Sequence, residues 1–164
     1  MPRTTFPLMT ASHAPGAPYD LVLLAHVLTA LVGLGAVVVA GAYALALRRS
    51  GPASESVRRY YRPGVNWAGR VLFLVPVLGV ALVVMSRGDW SFSDVWVAIG
   101  LMVWAVVALA AEMVLWPAER RLQAAVGDPS SAPDLGGQCA RAAAVAAVLA
   151  ILLVVAAVVM VAKP

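Results

Sequence analysis

The residue with the clearest chemical potential in this sequence is a histidine inside a long apolar run. His26 belongs to the stretch from Leu21 to Leu47, which contains no charged residue. At 100° per residue, one helical face of this stretch carries His26 among mostly small residues. Small residues allow close helix packing, so this face is predicted to point into a helix bundle. Its other members are Thr29, Ala30, Gly33, Val37, Ala40 and Ala44, and the opposite face carries Leu24, Leu28, Leu31, Val32 and Val39.

An interior imidazole can ligate a haem iron or copper, relay protons, or hydrogen-bond a neighbouring helix. We take the hydrogen bond between helices as the first interpretation and cofactor ligation as the alternative. The sequence has two histidines, so two histidine ligands from one chain would require His13 as well as His26. Thioether sulfur also suits haem iron and Cu(I), which makes Met102, at comparable depth, the candidate second ligand. His26 and Met102 are thus the candidate residues for binding haem b or copper.

A second group of polar residues interrupts the later apolar stretches. Asn66 and Arg70 are four residues apart on one helical face, and Glu112 lies near the end of the next apolar stretch. An unpaired charge inside a membrane costs several kcal/mol, so Arg70 is expected to pair with Glu112, and Asn66 to complete the network. The pair is interpreted as a structural staple, and a proton or substrate site at Glu112 is the alternative. Small residues indicate an inward face for Glu112, shared with Ala98, Leu101, Ala105 and Ala108.

A proline interrupts the apolar stretch that contains Arg70. Pro76 lacks an N–H group, so it should free a backbone carbonyl and kink the helix, with Gly79 one turn later. Such kinks persist in membranes when neighbouring helices satisfy the freed group. Trp104 falls near mid-membrane and is expected to serve packing.

The sequence lacks the motifs of soluble enzymes. No glycine-rich nucleotide loop follows a strand pattern, and neither a His-Glu-x-x-His zinc motif nor a serine in a nucleophile elbow is present. The single Cys139 excludes an internal disulfide and is expected to be a small buried residue. No catalytic residue is therefore predicted.

Four apolar stretches must position these residues. The chain is 62% hydrophobic and 12% charged, whereas soluble domains are about half apolar and a quarter charged. A bilayer core requires roughly 20 helical residues per crossing, and each stretch meets or approaches that length. The prediction is an all-α polytopic membrane protein, a bundle of four transmembrane helices in a domain over 20–164, preceded by an extracytoplasmic segment, 1–19. The expected helices span about 21–47, 65–86, 94–117 and 140–162.

Basic residues are concentrated around two of the connections. Nine of the twelve lie near the first and third, which include the basic loop 48–64, and positive residues remain cytoplasmic. Both termini are therefore predicted to lie outside, in a bacterial inner membrane. The loop could form a short interfacial helix that meets anionic lipid, or a solvated basic segment. Trp67 and Trp116 are expected at the inner membrane interface, and Trp90 and Trp96 at the outer.

Three segments carry a resemblance to a known family. They are Leu-Ala-His-Val-Leu-Thr-Ala-Leu-Val-Gly-Leu-Gly (24–35), Arg-Pro-Gly (62–64) and Leu-Trp-Pro-Ala-Glu-Arg-Arg-Leu (115–122). Over residues 20 to about 162 the chain resembles bacterial predicted four-helix integral membrane proteins, classed as a domain of unknown function. The segment around His26 is more distantly similar to copper-resistance D-type proteins and haem-binding protoporphyrinogen oxidases. That similarity implies a metal or haem role for His26.

Three hypotheses for function follow. The first is a non-enzymatic membrane bundle or accessory subunit, whose partners are the lipid bilayer and a second membrane protein or copy of itself. The alternative is a haem- or copper-binding redox or transport protein using His26. A proton-coupled small-molecule carrier using Glu112 is the third. The +4 formal charge is explained by its distribution around the membrane, so no nucleic-acid partner is predicted.

Overall fold

The described part of the chain is helical over most of its length. The computed structural model describes residues 16–51, 54–128, 130 and 134–162, and within these ranges it contains no strand. The predicted N-terminal segment, 1–19, lies mostly outside these ranges, and so does His13. The all-α prediction is confirmed. The α-helices are α1 (Ala17–Ser50), α2 (Glu55–Tyr60), α3 (Trp67–Arg70), α4 (Leu74–Met85), α5 (Val95–Ala110), α6 (Trp116–Gly127) and α7 (Leu135–Ala162).

These helices form four candidate membrane spans. The helix α1 is the first, and α7 is the last. The second, Trp67–Met85, joins α3 to α4 through a 3₁₀ turn, and the third, Val95–Gly127, joins α5 to α6 through a π turn. Each is long and apolar enough to cross a bilayer, which confirms the prediction of four crossings.

The first span buries its small residues on one face. Its buried residues are spaced at helical intervals, whereas its leucines and valines on the other side are exposed. The prediction of an inward small-residue face is therefore confirmed. The helix continues past Leu47 until Gly51, whose φ of 68° ends it, and Arg48 and Arg49 occupy the last turn, where positive charge suits the helix dipole. The buried set is Gly33, Val37, Ala40, Gly41, Ala44 and Leu47.

The helices α1 and α7 pack closely against each other. A Cβ atom added to Gly41 would lie 2.9 Å from the Cβ of Ala146, so the two backbones approach as closely as the absence of a side chain allows. The second span also packs on α1, and a Cβ at Gly33 would lie 3.1 Å from Cδ1 of Leu72. By contrast, the second and third spans meet mainly through aromatic side chains, which bridge a wider gap.

The third span is longer than the predicted helix, which was expected to end near residue 117. A π turn over Ala111–Leu115 precedes Pro117, and the N–H of Trp116 donates to the carbonyl of Ala111, five residues earlier. A wider turn accommodates the proline, which can neither donate a hydrogen bond nor tolerate a close carbonyl one turn back. The helix then continues as α6 to Gly127.

One end of the bundle collects the basic residues, and we call it the basic end. It comprises α2, α3, α6, the last turns of α1 and the first turns of α7. Val57 and Tyr61 are 1% and 2% exposed, and they anchor α2 against Leu47 and Leu122. Of the two interpretations of the loop 48–64, the structure therefore contains the short helix. Cys139 is fully buried in the same cluster.

Candidate functional site

His26 lies against the second span beside Pro76. Its Nδ1 donates a 3.0 Å hydrogen bond to the carbonyl oxygen of Val75. The imidazole fits there because Gly79 has no side chain: a Cβ at that position would lie 3.3 Å from Cε1 of His26. Since a carbonyl only accepts, Nδ1 carries the proton, and in the neutral ring Nε2 keeps a free lone pair.

Met102 does not join His26. Its residue surface is 68% exposed, on the outside of α5. The inward face of α5 includes Gly100, which receives the side chain of Met160, and Met102 follows Gly100 by about 200° of helical rotation. The depth of Met102 was inferred from residue counting, whereas its direction depends on which face of α5 packs. The expected His26–Met102 pair is therefore wrong, and the described residues contain no cluster of three or more histidine, cysteine or acidic side chains.

A tryptophan donates to the carbonyl that Pro76 leaves without its helical N–H. The carbonyl of Leu72 lies four residues before Pro76, so it has no N–H donor at its normal helical position. Nε1 of Trp104 donates to this oxygen at 3.0 Å. The ring of Trp104 also meets Phe73 edge-on, with centroids 6.3 Å apart. Trp104 thus serves packing and hydrogen bonding together.

Arg70 and Glu112 form an ion pair between the second and third spans. The guanidinium of Arg70 also lies over the ring of Trp116, 3.9 Å from its centroid. The two charged side chains are 32% and 42% exposed, so the pair occupies the flank of the bundle and not its interior as expected. At this level Ala111 is the inward residue, being fully buried, and Glu112 follows it around the helix. This placement favours the structural staple over a carrier site.

Trp116 differs from its expected position as well. It was predicted to mark the membrane interface, but it is only 5% exposed and packs against Gly69 and Phe73. Trp67, by contrast, is 75% exposed, as an interfacial residue would be. The sequence positions of Trp67 and Trp116 do not distinguish the exposed environment from the buried one, because both residues lie near the ends of apolar stretches.

Asn66 belongs to a different network from the one expected. Its Oδ1 accepts a 3.1 Å hydrogen bond from the N–H of Gly69, so it caps α3 from outside the helix. Its Nδ2 donates to Oε1 of Glu119 at 3.2 Å. The expected alignment with Arg70 assumed helical spacing, but the helix begins only at Trp67, and therefore the two side chains diverge.

Glu119 is the polar residue that sequence reasoning missed. It is 8% exposed, and it accepts hydrogen bonds from the phenol of Tyr60 at 2.9 Å and from Asn66. No ion pair involves it among the described residues. The missed signal was Pro117 followed by Glu119, a proline and an acid in the first turn of a helix. Ending the predicted helix at 117 placed this carboxylate in a loop.

Tyr60 connects Glu119 to the loop helix α2. Its ring stacks on Tyr43 of α1, with centroids 4.1 Å apart and planes 3° from parallel, and meets Tyr61 edge-on. Burial, followed by the charge and the hydrogen bond of Glu119, raises the pKa of Tyr60 above its ordinary value. The phenol therefore remains a neutral donor to the carboxylate. We call Tyr43, Tyr60, Asn66 and Glu119 the Glu119 cluster.

Comparison with known proteins identifies the family. A model described as "Predicted integral membrane protein (DUF2269)" matches residues 20–164, which include almost all of the four spans, His26, the Arg70–Glu112 pair and the Glu119 cluster. The chain belongs to this family. No curated protein and no solved structure matches it. The family resemblance expected from the three sequence segments is thus confirmed, while the more distant similarity to copper-resistance and haem proteins stays a prediction.

Membership in the DUF2269 family explains the surface of the bundle. The protein is an integral membrane protein, so it lies in a lipid bilayer. Leucine and valine side chains such as Leu31, Val84 and Val158 are 58%, 69% and 61% exposed, which would be costly in water. In a bilayer these side chains contact acyl chains instead.

Proposed function

We propose that the protein is a non-enzymatic membrane bundle whose intramembrane polar side chains hold helices together. One observation carries this proposal: four polar side chains within the spans contact a neighbouring span. His26 donates to Val75, Trp104 donates to Leu72, and Arg70 pairs with Glu112. Among the described residues, no buried side-chain nitrogen or oxygen lacks a hydrogen-bond partner. Active sites, by contrast, direct polar groups into a pocket.

The proposal includes an orientation. The exposed arginines of the basic end, such as Arg48, Arg58 and Arg120, support a cytoplasmic location for that end in a bacterial inner membrane. Both termini would then lie outside. A reporter enzyme that works only outside the cytoplasm, fused after residue 164, should be active. Activity of a cytoplasmic reporter at the same position would contradict this orientation.

A role as an accessory subunit fits the same architecture. The last span, α7, packs on α1 and α5 along one side, and its outer side presents Ile151, Val158 and Val161 to the bilayer. Such a face can contact lipid, a second copy or another membrane protein. Chemical crosslinking in native membranes, followed by mass measurement, distinguishes these occupants.

A specific observation favours haem or copper ligation by His26 as the second candidate. Histidines that ligate metals commonly donate their other ring N–H to a backbone carbonyl, and Nδ1 of His26 does so with Val75. Nε2 would then be the ligating atom. The described side chains fit this role only in part, because Met102 faces away and offers no second ligand. The second ligand would have to come from another copy of the chain or from a molecule other than this protein.

Absorbance and metal content of the purified full chain test the two candidates. The architectural proposal expects no Soret band and no stoichiometric copper after expression with haem precursor or copper supplied. A Soret band or one copper per chain that disappears in His26→Ala would establish the second candidate and overturn the first. Haem or copper retained by His26→Ala would eliminate His26 as the ligand.

A further inference from the structure

An open groove lies at the basic end, between the last turns of α1 and the helix α2. Its volume is about 580 Å³, within the range of small-molecule sites, which is roughly 300–1,000 Å³. The parallel rings of Tyr43 and Tyr60 form one wall. Because Val57 and Tyr61 anchor α2 in the core, the groove is held open by packed residues. Its lining residues are Tyr43, Glu55, Ser56, Arg59 and Tyr60.

The charge around the groove selects an anion. Arg59 is exposed, and within the described residues no acidic group lies within 4.0 Å of its guanidinium. An exposed guanidinium with no acidic partner can bind two oxygens of a phosphate in a bidentate manner. Arg48, Arg49, Arg58 and Arg62 are also exposed nearby in the chain, so the surrounding potential is positive. Glu55 lines the groove as well, and its charge opposes the anion.

The shape of the groove indicates a lipid. Tyr43 lies five residues before Arg48, and therefore roughly 7 Å deeper along α1. One turn deeper still, Val39 shares the face of Tyr43 and is 43% exposed. An exposed apolar part of α1 thus lies beyond the lining residues of the groove and its basic rim. A molecule with an anionic head and an acyl chain uses both the basic rim and the apolar part, whereas a soluble phosphate ester uses only the basic rim.

We propose that this groove binds the headgroup of an anionic phospholipid, with Arg59 at the phosphate and the Tyr43–Tyr60 wall beside the glycerol. Tyr60 donates to Glu119, so the site adjoins the cluster that joins α2 to the second and third spans. Lipid binding is an additional activity beyond helix packing. It requires neither a cofactor nor a particular orientation of the protein.

Native mass spectrometry of the full chain in neutral detergent tests the proposal. The purified protein is titrated with phosphatidylglycerol or with phosphatidylcholine, and the bound lipid is counted. Arg59→Gln should weaken phosphatidylglycerol binding by about ten-fold or more, because a hydrogen-bonded charge is lost. Arg58→Gln is the matched control: it removes the same charge from the same helix outside the groove, and should cost at most about five-fold. Equal losses in the two variants would overturn the site and leave only diffuse attraction.

Two further variants examine the groove without removing a basic residue. Ser56→Trp should fill the groove and weaken phosphatidylglycerol binding, while Glu55→Gln should strengthen it by removing a repulsive charge. Unchanged binding in Ser56→Trp, or weaker binding in Glu55→Gln, would contradict the proposal. If glycerol 3-phosphate competed at the same concentration as phosphatidylglycerol, the site would be one for soluble phosphates. Failure of the lipid site would leave the architectural proposal intact, because that proposal depends on contacts within the spans.

Discussion

Nε1 of Trp104 donates a 3.0 Å hydrogen bond to the carbonyl oxygen of Leu72, the acceptor that Pro76 deprives of its helical N–H donor. A proline in one span is thus matched by a tryptophan in another. The side chain crosses the gap between two helices whose backbones do not pack closely, so the hydrogen bonding of this carbonyl and the packing of the third span depend on each other.

This dependence can be measured with a double-mutant cycle. Trp104→Phe keeps the apolar ring but removes the donor, and should destabilise the protein by about 0.5–2 kcal/mol, the range for hydrogen bonds between membrane helices. In a Pro76→Ala background the N–H of residue 76 can donate to Leu72, so the same change should cost less. Denaturant unfolding in detergent provides the free energies. Equal costs in both backgrounds would show that the two residues are not coupled.

Gly79 should tolerate a methyl group better when the imidazole is absent. With His26 present, Gly79→Ala brings the new Cβ to 3.3 Å from Cε1, so the imidazole, which its hydrogen bond to Val75 holds in place, must shift by a few tenths of an ångström. The substitution should therefore be destabilising, by about 1 kcal/mol. With His26→Ala, the same substitution should be neutral or stabilising, since alanine is the better helix former by roughly 0.5–1 kcal/mol. Thermal unfolding of the four proteins provides the comparison. A similar loss in both backgrounds would contradict the contact.

The Arg70–Glu112 pair should show coupling of modest size. Single changes to glutamine leave one charge in the membrane, and the double change leaves none, so the double variant should lose less stability than the sum of the two single losses. Because both side chains are about one-third exposed or more, the coupling should lie between roughly 0.2 and 1 kcal/mol. Arg70→Gln should cost more than Glu112→Gln, because it also removes the contact with Trp116. Additive losses in unfolding experiments would show an independent pair of charges.

Stability should decrease at high pH because of the tyrosines of the basic end. Burial raises the pKa of Tyr61, and burial together with Glu119 raises the pKa of Tyr60. In the unfolded chain a tyrosine has a pKa of about 10. The folded chain keeps these protons when the unfolded chain loses them. The free energy of unfolding should therefore be unaffected by these groups below about pH 10 and fall above it.

The variant Tyr60→Phe should reduce this decrease, because one of the two raised groups is gone. At neutral pH the same change removes a donor from a buried carboxylate, and should cost about 1.5–3 kcal/mol. Tyr19→Phe is the control, since Tyr19 is far along the chain from the Glu119 cluster. An unchanged slope above pH 10 in Tyr60→Phe would contradict the assignment.

Two glycines of α1 should respond in opposite ways to substitution by alanine. At Gly41 the new Cβ would lie 2.9 Å from that of Ala146, so Gly41→Ala must separate α1 from α7 and should cost about 1–3 kcal/mol. At Gly35 nothing lies within 4 Å, so Gly35→Ala should stabilise the helix by roughly 0.5–1 kcal/mol. Both substitutions add one methyl group to the same helix. A comparable effect of the two on the unfolding midpoint would contradict close α1–α7 packing.

Features that depend on local properties could be predicted from the sequence. The four crossings follow from the length of the apolar runs, and the inward face of α1 follows from the spacing of Gly33, Val37, Ala40 and Ala44. These patterns need no knowledge of the neighbouring helix, because lipid and close packing each select residues along a single helix. The interhelical role of His26 was also the first interpretation, although its acceptor was not identified.

The identity of each polar partner was decided only by tertiary structure. Asn66 lies outside the helix that it was expected to share with Arg70. The third span continues through a π turn, and Glu119, in this continuation, is a buried hydrogen-bond acceptor. Met102 was expected at the depth of His26, but its side chain is on the exposed side of α5. Residue counting determines depth along a helix, whereas rotation about its axis and the choice of neighbour depend on how all four spans pack together. The same physical distinction explains why the histidine was evident from the sequence and the carbonyl of Val75 was not.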